Sequence, residues 1–212
     1  MIITTNQKYE ITDIAHEQYP FLHRIRALRD VGGEVKAGDL GGFVESERNL
    51  SFEPDDDAWI FDEAIVCNNA YVDQGAVLRE DAIACANAYI SHGARLSGHV
   101  RAEDDSYIRG AVLCAFARTS GTSMILASPD THSAPILSGH CAVYGKVSGN
   151  VRLTGDAVVI SGEEIYNDSL DTLSINECGR MMSRNPLRDK LSPGSTRQVT
   201  EKKSSKRREV SR

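Results

Sequence analysis

The feature that most constrains the fold is a small side chain that recurs at every sixth position between residues 58 and 112. This period fits neither an α-helix, which repeats about every 3.6 residues, nor an isolated β-strand, which repeats every two. A second small or apolar residue follows two positions later, so each hexad places two side chains on one face of a short strand. The first positions are Ala58, Ala64, Ala70, Ala76, Ala82, Ala88, Ala94, Val100, Ser106 and Val112, and the second are Ile60, Val66, Val72, Leu78, Ala84, Ile90, Leu96, Ala102, Ile108 and Cys114.

A strand of this length cannot bury its apolar face alone, so it has to stack on copies of itself. Each hexad ends in a polar corner that is often Gly, Asn, Asp or Gln, residue types that turn a backbone readily. The pattern therefore predicts an all-β fold, a single-stranded parallel β-helix or solenoid. The alternative is a meandering β-sandwich.

The repeat continues beyond residue 112 with interruptions. One residue is omitted before Ala117 and two more before Val151. The stretch from Pro129 to Pro135 fits poorly and is interpreted as a bulge or loop. The inward pairs predicted for this part are Ala117/Thr119, Ser123/Ile125, Pro129/Thr131, Pro135/Leu137, Cys141/Val143, Val147/Gly149, Val151/Leu153 and Ala157/Val159.

The hexads of residues 52–162 resemble the hexapeptide-repeat family of left-handed parallel β-helices, in which three hexads close one triangular coil. That resemblance implies left-handed coiling and about six coils. The run HRIRALRDVGGEVKAGDLGGFVESERNLS (residues 23–51), followed by DAWIFDEA (57–64), is similar to the YdcK-like hexapeptide-repeat proteins of bacteria and prophages. That group is often labelled as transferases but has no established reaction, so the resemblance implies the fold and little chemistry.

The sequence divides into four parts: an N-terminal cap (1–34), the β-helix (35–162), a C-terminal cap (163–179) and a basic tail (180–212). The tail carries eleven basic and three acidic residues, whereas residues 1–179 carry 13 basic and 27 acidic ones. Because its end is polar and almost without apolar residues, we expect the tail to be disordered. Its cations could contact nucleic acid, an acidic partner or the chain's own acidic body; they are Lys202, Lys203, Lys206, Arg207 and Arg208.

Three hexads per coil place residues eighteen apart above one another, which sorts the outward side chains into three faces. One face receives Tyr71, Tyr89 and Tyr107, with Asn69, Asn87 and Asp105 at its corners. The second receives Ile65, Ile83 and Arg101, and the third receives Trp59, Val77, Arg95 and Leu113. Exposed apolar patches of this kind usually bind a partner, so we expect a homo-oligomer, with a trimer favoured, or a protein partner. The alternative is that aromatic residues simply favour strands.

The outward apolar faces favour a non-catalytic interaction module that presents a rigid β-helix face for oligomerisation or partner binding. The alternative function is a CoA-dependent acyltransferase, a class to which many hexapeptide-repeat proteins belong. In such enzymes a histidine in a short loop deprotonates the acceptor, and SMILASPDTHSAP (residues 123–135) resembles that context. His132 is then the candidate base and Asp130 the residue that orients it, with acetyl-CoA or another acyl-CoA as donor. If the protein is instead a non-catalytic interaction module, we expect no cofactor.

Histidine and cysteine spacing supports neither a metal site nor a disulfide framework. No two of His92, His99, His132 and His140 lie eighteen residues apart, so we expect no zinc site built by stacking. The five cysteines are odd in number, and we find no apolar run that could form a signal peptide or span a membrane. We therefore expect a cytoplasmic protein with no membrane contact.

Overall fold

Short strands separated by polar corners wind into a β-solenoid of about seven turns in the computed structural model, which describes residues 6–185. The strands are numbered here in chain order, β1 to β23, and they form three sheets that run along the solenoid axis. The one helical segment of the described residues is a short 3-10 turn, Glu47–Asn49.

Each sheet collects strands from successive coils, and the first and second sheets also include antiparallel strands from the two terminal regions. The first contains β1 (Tyr9–Ala15), β2 (His23–Ala27), β3 (Leu40–Val44), β5 (Ile65–Val66), β8 (Ile83–Ala84), β11 (Arg101–Ala102), β14 (Arg118–Thr119), β17 (Ala142–Val143) and β20 (Val158–Val159). The second contains β4 (Trp59–Ile60), β7 (Val77–Leu78), β10 (Arg95–Leu96), β13 (Val112–Leu113), β16 (Ile136–Leu137), β19 (Val151–Leu153), β22 (Thr172–Asn176) and β23 (Gly179–Ser183). The third contains β6 (Tyr71–Val72), β9 (Tyr89–Ser91), β12 (Tyr107–Arg109), β15 (Met124–Leu126), β18 (Lys146–Gly149) and β21 (Glu164–Asn167).

The predicted stacking of hexads is confirmed in the central coils. Tyr71 pairs in parallel with Tyr89, and Ile65 pairs with Ile83, so residues eighteen apart lie side by side. Both inward positions of these hexads are fully buried, for example Ala70 and Val72. Small first positions allow three strands to meet around one axis, and stacking of the coils then forms a continuous apolar core.

The corners have a left-handed backbone at a period of six. Positive φ angles occur at Asp62, Asn68, Gln74, Glu80, Ala86, His92, Gly98 and Asp104. Corner side chains also join neighbouring coils: Asp62 accepts the backbone N–H of Glu80, and Asn68 accepts that of Ala86. Because each bond spans eighteen residues, the polar corners hold the register that the buried residues set.

Two of the predicted inward pairs are wrong, Val112/Cys114 and Pro129/Thr131, and the first is wrong because of a shortened corner. The residue is omitted before position 112, not after it, so Ala111 and Leu113 are the buried pair. Val112 instead points outward and pairs with Arg95, the place predicted for Leu113. Gly110, with a φ of 62°, makes this corner one residue shorter than the preceding ones. The expected inward Cys114 is only partly buried for the same reason.

The irregular stretch is a loop of residues 127–135 between β15 and β16. Val112 pairs with Ile136, so this coil contains an insertion of about one hexad. Ser128 organises the loop, because its side-chain oxygen accepts the N–H groups of Asp130 and Thr131. The predicted inward positions Pro129 and Thr131 lie in this loop, and the repeat resumes at Pro135 and Leu137.

The N-terminal region covers the first coils. Strands β1, β2 and β3 pair in antiparallel fashion, and β3 then pairs in parallel with β5. Tyr9, Leu22 and Ile25 from this region are all buried. The N-terminal hairpin, formed by β1 and β2, therefore extends the first sheet beyond the solenoid. Its apolar side chains pack over the side of the first coils.

The C-terminal region continues the stack further than the repeat pattern indicated. Strands β21 and β22 pair in parallel with β18 and β19, and β23 returns antiparallel to β22. The expectation of disorder from residue 180 onward is wrong for residues 180–183, which belong to β23. The remainder of the predicted tail, 186–212, lies outside the described residues.

Candidate interaction surface

Three tyrosine rings form a continuous stack on the third sheet, as the eighteen-residue register predicts. The centroids of Tyr71 and Tyr89 lie 6.0 Å apart, and those of Tyr89 and Tyr107 lie 5.1 Å apart with planes within 8°. All three side chains are partly exposed. We call the surface formed by Tyr71, Tyr89 and Tyr107 the tyrosine face.

Polar contacts hold the tyrosine face in place. The hydroxyl of Tyr89 donates to Oδ2 of Asp73 at 2.8 Å. At the adjoining corner, the amide of Asn69 donates to Asn87 at 3.0 Å, and Asn87 donates to Asp105 at 2.7 Å. This confirms the predicted corner stack, and the bond to Asp73 holds the ring of Tyr89 in place between its two neighbours.

The charge environment of the tyrosine face shifts its ionisable groups. Burial and the neighbouring Asp73 raise the pKa of Tyr89 to about 12. Burial likewise raises the pKa of Asp73, against the opposing effect of the hydrogen bond from Tyr89. Oδ1 of Asp73 is fully buried and accepts no hydrogen bond. One carboxylate oxygen of Asp73 therefore accepts a hydrogen bond and the other does not.

A cavity of about 580 Å³ opens beside Tyr71, at the first ring of the stack. Its lining includes the carboxylates of Glu53, Asp55, Asp56, Asp57 and Asp73. The run of three aspartates, residues 55–57, thus borders a cavity.

Besides Asp73, two of those carboxylates have hydrogen-bond partners within the protein. Asp56 accepts the N–H groups of Gln74 and Gly75, while Asp57 accepts that of Gly32. Burial alone would raise the pKa of Asp56, but the N–H donors, Gly75 first, lower it below its usual value.

Trp59 and Ile65, predicted as outward interface residues, are instead covered by the chain itself. Trp59 is 1% exposed and packs edge-on against Tyr9, with centroids 6.3 Å apart. Ile65 is 6% exposed and packs with Leu22 and Phe43. The N-terminal region buries both side chains, so they contribute no open surface.

Ile83, the remaining predicted interface residue, lies at the border of that covered region. It is partly buried and packs against the cluster that contains Ile65. The apolar surface expected on the first sheet is therefore much smaller than the sequence predicted.

The proposed catalytic residues lie together in the loop of residues 127–135 but do not contact each other through a hydrogen bond. His132 is exposed with a φ of 55°, and Asp130 is also exposed. Their backbone N–H groups both bond to Ser128. Neither side chain lines the cavity beside Tyr71.

A second aromatic stack lies at another corner and was not predicted. The rings of His99 and Phe116 have centroids 5.0 Å apart, and those of Phe116 and His140 lie 4.8 Å apart. Asp81 and Asp156 approach the outer sides of the two imidazoles at 3.4 and 3.8 Å. A spacing of eighteen residues does not predict this stack. The three rings are aligned because one corner is a residue shorter and the loop of residues 127–135 adds about one hexad.

Two further sequence expectations concern ligands and membranes. Among residues 6–185, we find no group of three or more His, Cys, Asp or Glu side chains arranged to hold a metal ion. No helix in the same range is long and apolar enough to cross a membrane. The tail cations Lys202, Lys203, Lys206, Arg207 and Arg208 lie beyond the described residues.

The class that the fold defines is the β-solenoid proteins, and the chain is one of them. Beyond the class, comparison with known proteins finds neither a matching family model nor a matching curated protein.

Proposed function

We propose that this β-solenoid is a non-catalytic interaction module whose tyrosine face mediates homo-oligomerisation, with a trimer favoured. A second protein binding to the same face is the closest variant of this function. The observation that supports it is the stack of Tyr71, Tyr89 and Tyr107, partly exposed and held by the hydrogen bond to Asp73.

The physical case rests on preorganisation. Side chains that are already fixed lose little conformational entropy when a partner covers them. Tyrosine also combines apolar area with a polar hydroxyl, a combination that is common at the energetic centres of interfaces. A rigid solenoid that presents the tyrosine face is therefore suited to binding a partner more than to catalysing a reaction.

The resemblance to YdcK-like hexapeptide-repeat proteins agrees with this proposal, since related β-helices are commonly trimers, and it would make the coiling left-handed. Five cysteines without a disulfide are typical of a reducing compartment, so we place the protein in the cytoplasm.

Light scattering coupled to size-exclusion chromatography tests the proposal. We expect a wild-type mass near three times the 23.2 kDa of one chain. Tyr89→Lys puts a charge in the tyrosine face and should give monomers, whereas the control Val112→Lys, outward on the second sheet, should not. A wild-type protein that stays monomeric at high concentration and binds no partner would contradict the proposal.

A second candidate function is acyl transfer from acetyl-CoA or another acyl-CoA, with His132 as base and Asp130 as orienting residue. The observation that favours it is the inserted loop, which holds an exposed histidine away from the regular coils. Saturating acetyl-CoA should then raise the melting temperature. No shift at millimolar concentration argues against the enzyme, and unchanged turnover in His132→Ala would discard the assigned base.

A further inference from the structure

Cys67 and Cys85 occupy equivalent positions in two successive coils of the solenoid. Each follows a fully buried inward residue of the first sheet and precedes a corner residue with a positive φ, Asn68 in one coil and Ala86 in the other. Strands β5 and β8, which end one residue earlier, pair in parallel. Because side chains alternate along a strand, both cysteines lie on the outward side of the first sheet, one above the other.

Hydrogen bonds on both sides of Cys85 fix its register against the coil that contains Cys67. The N–H of Cys67 donates to the carbonyl oxygen of Ala84 at 3.1 Å. On the other side, the N–H of Ala86 donates to Oδ1 of Asn68 at 3.3 Å. Since the residues before and after Cys85 are both bonded to the neighbouring coil, the two cysteines are held side by side.

The distance between stacked coils suits a disulfide. Neighbouring strands lie about 4.8 Å apart, which is within the roughly 4.4–6.8 Å that a disulfide requires between its two Cα atoms. The two Cβ atoms, which point the same way, have to approach each other to about 3.8 Å. This approach stores some strain, and strained disulfides are reduced readily. The geometry therefore favours a reversible link more than a permanent structural one.

Both thiols are free and partly buried, so a small oxidant reaches them. Burial, the neighbouring Cys85 and Glu45 raise the pKa of Cys67 to about 11. Burial and Glu103 raise the pKa of Cys85 above its usual value. Both groups are therefore protonated at neutral pH, and they react slowly unless an oxidant persists.

The other cysteines of residues 6–185 do not form such a pair. Cys114 lies beside Ser138 of the next coil, since its N–H bonds to the carbonyl oxygen of the residue before that serine. Cys141 is three positions further along and is buried in the core. Cys178 lies exposed in the turn between β22 and β23. Stacking of the coils therefore favours the first pair.

We propose that Cys67 and Cys85 form a reversible disulfide, a redox-modification site that links two successive coils when a peroxide is present. The peroxide oxidises one thiol to a sulfenic acid with release of one water, and the second thiol then displaces another water from that sulfur. In total, two S–H bonds are broken, one S–S bond forms and both peroxide oxygens are reduced to water. A transient disulfide of this kind is compatible with the proposed cytoplasmic location. The inference does not depend on the proposed interaction function.

Peptide mass spectrometry of the intact, full-length protein tests the link. The reduced protein is treated with a small excess of hydrogen peroxide, its remaining thiols are blocked with N-ethylmaleimide, and the digest is analysed without reduction. We expect a bond between Cys67 and Cys85, three blocked cysteines instead of five, and full reversal by dithiothreitol. Separate sulfinic or sulfonic acids at the two positions, with no bond between them, would overturn the proposal.

Oxidation in concentrated urea shows how much of the pairing comes from the fold. In an unfolded chain the separation of 18 residues between Cys67 and Cys85 competes with separations of 27, for Cys114 and Cys141, and 29, for Cys85 and Cys114. Loop closure then favours the first pair by only about twofold. In the folded protein the thiols are already placed together, so we expect their link to exceed every other by about tenfold or more. The same distribution of links in both conditions would contradict the proposed site.

Serine variants supply the matched controls. Cys67→Ser leaves Cys85 without its partner, so peroxide should convert Cys85 to a sulfenic acid that dimedone traps. Cys114→Ser removes a thiol that is also partly buried but lies outside the pair, and it should leave the link unchanged. Loss of the link in Cys114→Ser, or no sulfenic acid at Cys85 in Cys67→Ser, would overturn the assignment.

Hydrogen exchange measures what the link does to the coils. The N–H groups of Ile65 and Cys67 bond to the next coil, so they exchange only when the two coils separate. A disulfide that closes a loop of this length should slow their exchange by about tenfold or more. The N–H groups of Ala142 and Tyr144, which bond to a later coil, should be much less affected, because the repeats of a solenoid contact only their neighbours. Unchanged exchange at Ile65 and Cys67 in the oxidised protein would contradict a link that holds the two coils together.

Discussion

The rings of Tyr89 and Tyr107 lie parallel within 8°, with centroids 5.1 Å apart, although the two residues are eighteen positions apart in the chain. The strands that contain them pair in parallel and in register. One turn of the solenoid therefore brings chemically similar side chains into direct contact, and the surfaces of the molecule follow from this relationship.

Substitution at a corner glycine tests how closely the coils approach each other. Gly98 has a φ of 77°, and a Cβ there would lie 2.8 Å from the carbonyl oxygen of Ala115. Gly98→Ala should cost about 1–2 kcal/mol for the left-handed backbone and about 1–3 kcal/mol more for the clash. Gly121→Ala is the matched control, because its φ is 65° and nothing lies within 4 Å of the added Cβ. Equal losses in urea unfolding would contradict the close approach.

A buried hydroxyl should be replaceable with a gain in stability. Thr119 is fully buried, and its hydroxyl has no hydrogen-bond partner in the described structure. Thr119→Val keeps the shape and removes the unsatisfied group, so the free energy of unfolding should rise by about 1 kcal/mol. Ser120→Ala, which removes a hydroxyl bonded to Asp104, should not stabilise the protein. A less stable Thr119→Val would mean that the hydroxyl is paired, for instance through a buried water.

Lys8 should make stability depend on alkaline pH. Its side chain is 1% exposed, and burial lowers its pKa from 10.5 to about 8. Between these two values the unfolded chain binds more protons than the folded one, so stability should rise with pH from about 8 to 10.5. Lys8→Met should be the more stable protein at pH 7, by up to about 3 kcal/mol less the loss of the bond to Ser51.

Thermal unfolding of both proteins from pH 7 to 9.5 measures this effect. The wild type should approach Lys8→Met as the pH rises. Above pH 10 the comparison ends, because burial raises the pKa of the adjacent Tyr9 and ionisation of that tyrosine in the unfolded chain then opposes folding. If the difference in stability between the two proteins stays constant from pH 7 to 9.5, burial does not penalise the charged form of Lys8 in the folded state.

Asp73 should make the stability of the protein fall as the pH rises in the acid range, which is the opposite of the effect expected from Lys8 at alkaline pH. Burial raises its pKa above 3.8, so the folded state binds more protons in that region and stability falls as the pH rises through it. Asp73→Asn keeps an acceptor for the hydroxyl of Tyr89 and should stabilise the protein at pH 7 by less than about 1 kcal/mol, since the group is partly exposed. The advantage should disappear below pH 4, as measured by urea unfolding. An asparagine variant that is less stable at pH 7 would indicate that the charge itself is needed.

Much of the fold could be predicted because a solenoid converts sequence spacing into spatial position. Tyr71, Tyr89 and Tyr107 were predicted to stack from their numbers alone, as was the corner series from Asn69 to Asp105. The prediction was wrong at Val112 because a corner can lose one residue without disturbing the strands on either side. The burial of Ala111 and the pairing of Val112 with Arg95 reveal where that loss occurs.

The candidate site was less predictable because it depends on parts that do not repeat. Trp59 and Ile65 occupy outward positions, and no spacing rule indicates that an N-terminal hairpin covers them. His99, Phe116 and His140 are 17 and 24 residues apart, so a strict search at eighteen misses their stack. The cavity beside Tyr71 likewise forms where an irregular acidic loop meets the first complete coils.

Nuclear Overhauser spectroscopy on protein labelled only at tyrosine tests most directly whether the coils stack as described. The account predicts ring-to-ring cross-peaks between Tyr71 and Tyr89 and between Tyr89 and Tyr107, whose centroids lie 6.0 and 5.1 Å apart. Dilution should leave these cross-peaks unchanged, since they arise within one chain. Absence of contact between Tyr89 and either neighbour would contradict the stacking and every surface derived from it.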